Sequence, residues 1–285
     1  MNKTNLRYAI LVLHFIAVYA HGQSLEDIRK AAEEGNPVAQ VKMGYFYTQG
    51  LGVTKDYSEA SKWFRKAAEQ GNEDAHVKIA YMYAEGQGVP KDNLEAIKWW
   101  RKVADKGYGP AQFSLGYIYQ HGHGVPEDHL EAVKWFRKAA EQGEIGALNG
   151  LALAYLEGQG VPQNFEEAIK LYRKAVDKGN VNSLLFIGDV HNRNRDYGEA
   201  VKIYQIFADK GDAYGQFNLG MAYFLGHGVP ENFVLAYMWL NLATANSIGE
   251  TRKFYLEQRE MVATFIKPQQ LTNAQRLASE WKPKK

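Results

Sequence analysis

A ten-residue, glycine-rich segment recurs along this chain at a fixed spacing, and that spacing limits what the chain can fold into. Four copies begin at glycines 36 residues apart, and a fifth follows after 68 residues. The copies are Gly50 (GLGVTKDYSE), Gly86 (GQGVPKDNLE), Gly122 (GHGVPEDHLE), Gly158 (GQGVPQNFEE) and Gly226 (GHGVPENFVL). The longer gap fits one full repeat and one shortened repeat, whose turn is reduced to residues 192–195. A turn repeated at one period indicates a structural unit copied along the chain, in which each copy buries its apolar face against its neighbours.

Each repeat is predicted to contain two antiparallel helices, A and B. In helix A of the first copy, Ala39, Met43 and Tyr47 are spaced i, i+4 and i+8, which places them on one helical face. The residue at the position of Gly44 is Gly or Ala in every copy, which indicates close approach of a neighbouring helix. The turn glycines end helix A, and the proline of the turn, such as Pro90, prevents its continuation.

Helix B is predicted to begin at an Asp or Asn that caps it. The predicted N-caps are Asp56, Asp92, Asp128, Asn164, Asp196 and Asn232. Five of them are followed three residues later by Glu, which is the capping-box pattern. The sixth has Leu235 at that position, and we expect its first turn to be held less well.

Composition limits the classes of function. Apolar residues make up 46% of the chain, which is enough for a continuous core. The chain carries 34 basic and 32 acidic residues, and without residues 1–22, which hold Lys3 and Arg7 and no acid, it is formally neutral. No basic face is evident, so nucleic-acid binding is not expected. There is no cysteine, which excludes disulfides and a lipid-modified N-terminal cysteine.

The first 22 residues resemble a secretory signal peptide. Residues 1–7 are polar with two cations, residues 8–20 are an apolar run, and small residues follow near Ala20 and Gly22. An uncleaved anchor is disfavoured because the run is shorter than the roughly 20 residues that span a bilayer. We therefore predict an exported protein, periplasmic or secreted, that touches the membrane only through this segment before cleavage.

Both ends of the repeat array are predicted to carry capping helices. Residues 24–35 match the second half of a repeat, with Ser24 as N-cap, and six repeats follow over residues 36–245. Residues 246–285 lie beyond the repeats. In that segment we predict an amphipathic helix over 250–267 halted by Pro268, and a short helix capped by Thr272.

The joint pattern of A-x-x-x-L-G-x-x-Y, G-x-G-V-P and D-x-x-E-A-x-x-W at a 36-residue period resembles the Sel-1-like repeats, relatives of tetratricopeptide repeats. The resemblance covers residues 24–245, and residues 273–278 before Trp281 look like the terminal helix that often closes bacterial members. It implies an all-α, right-handed solenoid of antiparallel helix pairs. It also implies a non-enzymatic adaptor without a cofactor, acting in envelope assembly, signalling or host contact through partners that the sequence does not identify.

The related tetratricopeptide fold also implies which face of helix A would line a concave groove. That face carries positions 41, 45 and 48 of the first repeat and their equivalents, on a different side of the helix from the core stripe. The candidate partner-binding residues are Val41, Tyr45, Val77, Tyr81, Phe113, Tyr117, Leu153, Leu185, Phe217, Met221 and Phe224.

Two interpretations of this row remain open. In the first, the groove binds an extended peptide or a helix of a partner protein, with Tyr45, Tyr81 and Tyr117 as anchors, because tyrosine gives large contact area with few rotors. In the second, the tyrosines pack between neighbouring A helices and are mainly structural.

Enzymatic and metal functions find little support. A β-lactam-interacting hydrolase, an activity ascribed to some cysteine-rich relatives, would need more than the one S-x-x-K match, at Ser279 to Lys282, since S-D-N and K-T-G are missing. His121, His123 and His129 cluster near one turn, but the first two replace Gln, Glu or Leu of sister repeats and are interpreted as polar turn residues. No catalytic residue and no metal ligand is predicted.

Overall fold

The structure is a computed structural model that describes residues 24–284, and over this range it contains fifteen α-helices and no strand. The helices are α1 (Leu25–Glu33), α2 (Pro37–Gln49), α3 (Tyr57–Glu69), α4 (Glu73–Glu85), α5 (Asn93–Ala104), α6 (Gly109–His121), α7 (His129–Glu141), α8 (Ile145–Glu157), α9 (Phe165–Asp177), α10 (Ser183–Arg193), α11 (Tyr197–Asp209), α12 (Ala213–Leu225), α13 (Phe233–Ala245), α14 (Gly249–Ala263) and α15 (Pro268–Glu280). The predicted all-α repeat fold is confirmed. The chain divides into two compact units between Ala139 and Ala140, within α7.

The residues predicted as a signal peptide, 1–22, lie outside the described part of the chain. Within the described part, none of the helices combines the length and the apolar character needed to cross a membrane.

The leading half repeat forms the predicted cap helix α1. Ser24 Oγ accepts from the Asp27 amide at 3.1 Å, and the Asp27 carboxylate accepts from the Ser24 amide at 2.9 Å. Ile28 and Ala32 are buried in a cluster that includes Met43 of the first full repeat. The helix therefore covers the apolar face that the first repeat would otherwise leave open.

The first turn glycine ends helix A in left-handed backbone geometry. Gly50 has φ of +73°, and its amide donates to the Phe46 carbonyl at 2.8 Å. The shortened fifth repeat lacks such a glycine, yet Arg195 adopts φ of +61°, the only positive φ among the non-glycine residues that the structure describes. The shortened turn thus keeps a left-handed residue, which glycine adopts more readily than arginine does.

The predicted N-caps of helix B hold at five of six positions. Asp56 Oδ1, for example, accepts from the Glu59 amide at 3.1 Å. The equivalent bonds join Asp92 to Glu95, Asp128 to Glu131, Asn164 to Glu167 and Asn232 to Leu235. Asn232 makes this bond at 3.0 Å although no Glu follows it three residues later, and the expected weakness of its first turn stays a prediction.

Asp196 is the exception among the caps. Its side chain makes no capping bond and lies 3.0 Å from His191 Nδ1 instead. The shortened turn changes the approach to α11, so Asp196 has φ of −85° and ψ of 65° rather than the extended geometry of the other caps.

The capping box is only half formed in these helices. The N-cap amide of Asp56 already donates to the Tyr47 carbonyl of helix A at 2.9 Å, so it has no need of the Glu59 carboxylate. Glu59 instead pairs with Lys62 at 2.5 Å. The same i,i+3 pair recurs at Glu95, Glu131, Glu167 and Glu199. These exposed pairs contribute little to stability.

The small residue of helix A faces a large side chain of helix B, as predicted. A Cβ added to Gly44 would lie 2.6 Å from the Phe64 ring, which is 1% exposed. The position of Phe64 is filled in the later copies by Trp100, Phe136, Tyr172, Tyr204 and Leu240, and all of them are buried. This column forms the core between the two helices of each repeat.

Buried glutamines join successive repeats, a feature that the sequence did not single out. Gln40 is 4% exposed, and its amide nitrogen donates to the Ala32 carbonyl at 3.1 Å. Gln112 bonds to the carbonyl of Ala104 in the same way, at 3.0 Å. Each of these glutamines satisfies a carbonyl near the C-terminal end of the preceding helix, where intrahelical partners are missing.

The end of the chain differs from the prediction in detail. Pro268 does not halt a helix but starts α15, at a position where a missing amide proton costs no hydrogen bond. Thr272 lies inside α15, with its hydroxyl donating to the Pro268 carbonyl at 3.2 Å, so the expected cap at Thr272 is wrong.

Candidate functional site

In the first unit, the predicted binding row is exposed only in part. Val77 is buried at 6% exposure, and Val41, Tyr45 and Phe113 are partly buried. Tyr45 packs edge-on against Phe64, with ring centroids 5.5 Å apart. Tyr81 and Tyr117 keep 42% and 47% of their surface exposed. The packing interpretation therefore fits Tyr45 better, and the binding interpretation fits Tyr81 and Tyr117 better.

Tyr81 is held in place on both sides. Its ring meets Trp100 edge-on, with centroids 5.0 Å apart, and its hydroxyl lies 3.0 Å from Ser114 Oγ. Ser114 donates its own proton to the Pro110 carbonyl at 2.9 Å, so Tyr81 is the donor to Ser114. A side chain fixed in this way loses little rotamer entropy when a ligand binds.

A cavity of about 330 Å³ opens between the two exposed tyrosines. Its aromatic walls come from Tyr81, Trp100, Phe113 and Tyr117. Polar groups also line the cavity, and they belong to Glu85, Lys91, Asn93, Ser114 and His123. Apolar walls with a few polar groups are the usual make-up of a ligand site.

The histidines near the turn form an aromatic group rather than a metal cluster. The ring of Tyr117 lies 4.4 Å from His121 and 5.7 Å from His123, measured between centroids. His129 pairs instead with Glu127, at 2.7 Å. Over residues 24–284 the structure shows no group of three His, Asp or Glu side chains that could hold a metal ion.

In the second unit, the last members of the row are partly covered by α14 and by the turn that follows it. Leu153 is 37% exposed and Leu185 is buried. Phe217 stacks on Tyr255 of α14 with centroids 4.4 Å apart, and Phe224 meets Phe265 at 5.3 Å. Met221 is partly buried in the same cluster. These side chains are thus packing residues in part.

Asp189 occupies the row position equivalent to Tyr81 and forms a polar cluster in the second unit. Its carboxylate accepts from the Tyr204 hydroxyl at 2.9 Å and from the Tyr214 hydroxyl at 3.0 Å. Burial raises the pKa of the Asp189 carboxyl above its ordinary value, and the two tyrosine hydrogen bonds oppose this rise without cancelling it. Burial and the neighbouring Asp189 also raise the pKa of Tyr214 to about 12, so its hydroxyl remains a donor at neutral pH.

This cluster predicts a pH dependence of stability. The pKa of Asp189 in the folded state lies above its unfolded value of 3.8, so the folded state binds the proton more tightly than the unfolded state does. The free energy of unfolding therefore falls as pH rises from the unfolded pKa through the folded pKa, because the buried carboxyl becomes charged. Asp189→Asn cannot titrate. We expect the unfolding free energy of the wild type minus that of the variant to fall as pH rises from about 3.8, and urea titrations at several pH values measure it. A difference that grows with pH would mean that the tyrosines stabilise the anion more than burial penalises it.

The S-x-x-K match lies at the end of α15. Ser279 is exposed and donates its hydroxyl proton to the Arg276 carbonyl at 2.7 Å, and Lys282 follows the helix. Trp281 between them packs against Trp239, with centroids 6.0 Å apart.

Sequence reasoning predicted Tyr81, Phe113 and Tyr117 but missed the other residues that line the cavity, among them Trp100, Lys91 and His123. The predicted row did not include Trp100, and Lys91 and His123 belong to the repeated turns. The available signal was the position of Lys91 and His123 in turns that follow α4 and α6, the two helices that carry the exposed tyrosines. The spacing of a helix row does not show that turn residues reach the same space.

Comparisons with known proteins agree with the fold. The family model described as Sel1 repeat matches residues 37–72, 73–108, 109–144, 145–180, 184–212 and 213–247. The chain is similar to the crystal structure of a Sel1 repeat protein from Oxalobacter formigenes, at 31% identity and a TM-score of 0.65, over 81% of this chain and 95% of that one. It is also similar to a protective antigen present in uropathogenic Escherichia coli strains, which displays an SLR fold, at 28% identity and a TM-score of 0.62 over 90% of this chain. The chain spans 63% of that antigen's length. No curated protein matches the chain.

Proposed function

This chain belongs to the Sel1 repeat family, and from that membership we propose that it is a non-enzymatic adaptor that binds a partner protein at the cavity between Tyr81 and Tyr117. Sel1 repeat proteins generally mediate protein–protein interaction. The observation that carries the proposal for this chain is the pair of half-exposed tyrosines on either side of a cavity with aromatic walls.

The size of the cavity suits an apolar anchor side chain of an extended peptide. Its volume of 330 Å³ is at the low end of the range for ligand pockets, roughly 300 to 1,000 Å³. It is about twice the volume of a cavity, roughly 150 Å³, that binds benzene in another protein. One aromatic or branched aliphatic side chain, together with the peptide backbone on either side, would fill it.

The two tyrosines have different roles in the proposed contact. Tyr81 is fixed by Trp100 and Ser114 and forms a rigid wall. Tyr117 touches only the exposed rings of His121 and His123 among the described aromatic contacts, so it is freer to adjust to a ligand. Tyrosines such as these two are enriched among the residues that dominate the binding energy of an interface.

Removal of Tyr117 tests the proposal. We expect Tyr117→Ala to weaken binding of peptides selected from a displayed library by about 10- to 30-fold, because a central aromatic anchor contributes about 2 kcal/mol. The melting temperature should change little, since the ring is 47% exposed. Binding is measured by isothermal titration calorimetry with the purified protein.

Leu130→Ala is the matched control, because Leu130 is 63% exposed on α7 and does not line the cavity. Tyr117→Phe should retain most of the affinity, since the ring provides the contact area. Unchanged peptide binding by Tyr117→Ala, together with a large drop in melting temperature, would contradict the proposal and favour the packing interpretation.

The proposal extends to location and role. Residues 1–22 resemble a secretory signal peptide, and on that basis the protein is exported to the periplasm or secreted. There it would act in envelope assembly, in signalling or in contact with a host, through a protein partner. The proposal assigns no catalytic residue, cofactor or nucleic acid.

A further inference from the structure

We propose that helix α14 and the last repeat together form a second docking surface, which binds an amphipathic helix of a partner protein whose apolar side is bordered by lysine or arginine. The surface, called here the terminal patch, consists of Phe217, Phe224, Phe254, Met261 and Phe265. It uses none of the residues that line the cavity of the first unit and goes beyond the function proposed for that cavity.

Helical geometry places two apolar residues of α14 on one exposed side, and a third follows the helix. At 100° per residue, Phe254 and Met261 lie within about 20° of each other, and Phe265 lies in the turn that follows the last helical residue, Ala263. Tyr255 and Val262 face the last repeat and are 5% and 0% exposed. The three apolar residues beside them remain 49%, 38% and 54% exposed. An exposed stripe of this kind is typical of a helix that has a further partner.

The stripe continues across the last repeat instead of standing alone. Phe254 lies beside Phe217, with centroids 5.5 Å apart, and Phe265 lies beside Phe224 at 5.3 Å. Helix α12, helix α14 and the turn after α14 therefore present one continuous apolar surface, the kind of surface on which the apolar face of a partner helix docks.

The charges next to the stripe are acidic. By the same geometry, Glu250 and Glu257 lie within about 60° of Phe254 on the side away from the core, and Lys253 lies about 40° farther round. Neither Glu250 nor Glu257 takes part in an ion pair within the described chain, whereas Glu260 is paired with Arg259 at 2.5 Å. Helices α12 and α13 carry no charged residue.

This charge pattern selects the occupant. A partner helix with basic residues beside its apolar stripe would pair with Glu250 and Glu257, and complementary charges favour the correct partner and its association rate. A second copy of this chain in a two-fold contact would set the same acidic groups near each other, which is unfavourable. An anionic lipid surface would repel them.

The test uses designed helical peptides of about 20 residues, long enough to be helical in water. One has a leucine and phenylalanine stripe bordered by lysines, and a second has glutamates in place of the lysines. Binding is measured by fluorescence anisotropy with the purified protein. We expect the protein to bind the lysine peptide, and to bind the glutamate peptide at least about tenfold more weakly.

Two variants locate the binding to the terminal patch. Met261→Ser and Glu257→Lys should each weaken binding of the lysine peptide by about tenfold. Circular dichroism checks that each variant keeps the fold. Glu166→Lys, a charge reversal at an exposed residue of α9, should leave binding of the lysine peptide unchanged. Tyr117→Ala should also leave this binding unchanged, which separates the result from the function proposed for the cavity.

Several results would overturn the inference. These are equal binding of the two peptides, no binding of either, or full affinity in Met261→Ser. Concentration-dependent dimerisation that Met261→Ser abolishes would assign the terminal patch to a second copy of the chain, and binding to anionic vesicles that the same variant abolishes would assign it to lipid.

Discussion

Gly88→Ala is expected to lower the free energy of unfolding by about 3 kcal/mol or more. Gly88 has φ of +69°, and an added Cβ would overlap the backbone carbonyl of Tyr57, the first residue of α3 in the preceding repeat. Left-handed geometry costs a residue with a side chain roughly 1–2 kcal/mol, and overpacking against a backbone that cannot rotate away costs about 1–3 kcal/mol more. Urea titration followed by circular dichroism measures the loss.

Gly86→Ala is the matched control for that variant. Gly86 has the same φ, but the nearest atom to its added Cβ is Lys91 Cβ at 3.1 Å, within its own repeat. We expect it to lose only about 1–2 kcal/mol. Equal losses in the two variants would show that the contact between repeats is not what makes the second turn glycine necessary. Gly228 faces the Tyr197 backbone in the same way, so the effect should recur there.

Trp100→Ala is expected to destabilise the protein by about 3–5 kcal/mol, the range for removing a large aromatic from a core. Trp100 is 2% exposed, it supports Tyr81 edge-on, and it forms one wall of the cavity. The variant should therefore lose peptide binding as well as stability. Denaturant titration and calorimetry on the same samples separate the two effects.

Trp100→Phe should cost only about 1 kcal/mol. Phenylalanine already fills the equivalent position at Phe64 and Phe136, and the indole N–H of Trp100 has no hydrogen-bond partner among the described residues. Losing that group therefore leaves no acceptor unsatisfied. A loss as large as that of the alanine variant would show that phenylalanine does not fill the space of the indole ring at this position.

Local features of the fold were predictable because a few neighbouring residues decide them. The turn glycine Gly50 ends α2, Asp56 caps α3, and Ser24 caps α1, each through bonds that span three or four residues. Prediction failed where the chain left the pattern. Asp196 loses its capping role in the shortened turn, and Pro268 starts α15, whereas it was expected to halt the helix before it.

The candidate site was predictable as a face but not as a set of exposed residues. Tyr81 and Tyr117 of the predicted row are exposed, yet Val77 in the same row is buried. Lys91 and His123 reach the cavity from turns, and no helix spacing indicates this. The repeat pattern ends before α14, so it could not reveal that Phe254 and Phe265 continue the apolar surface of Phe217 and Phe224.

The sequence by itself determined the repeat, its helices and their caps, because these depend on backbone geometry and hydrogen bonds within a few residues. The tertiary structure alone decided how much of each side chain stays exposed, since that depends on residues about one repeat away. Tyr81 is positioned by Ser114, 33 residues later, and Phe217 is covered by Tyr255 of a helix outside the repeats. A binding surface is what neighbouring elements leave uncovered, so it could be located only once those elements were packed.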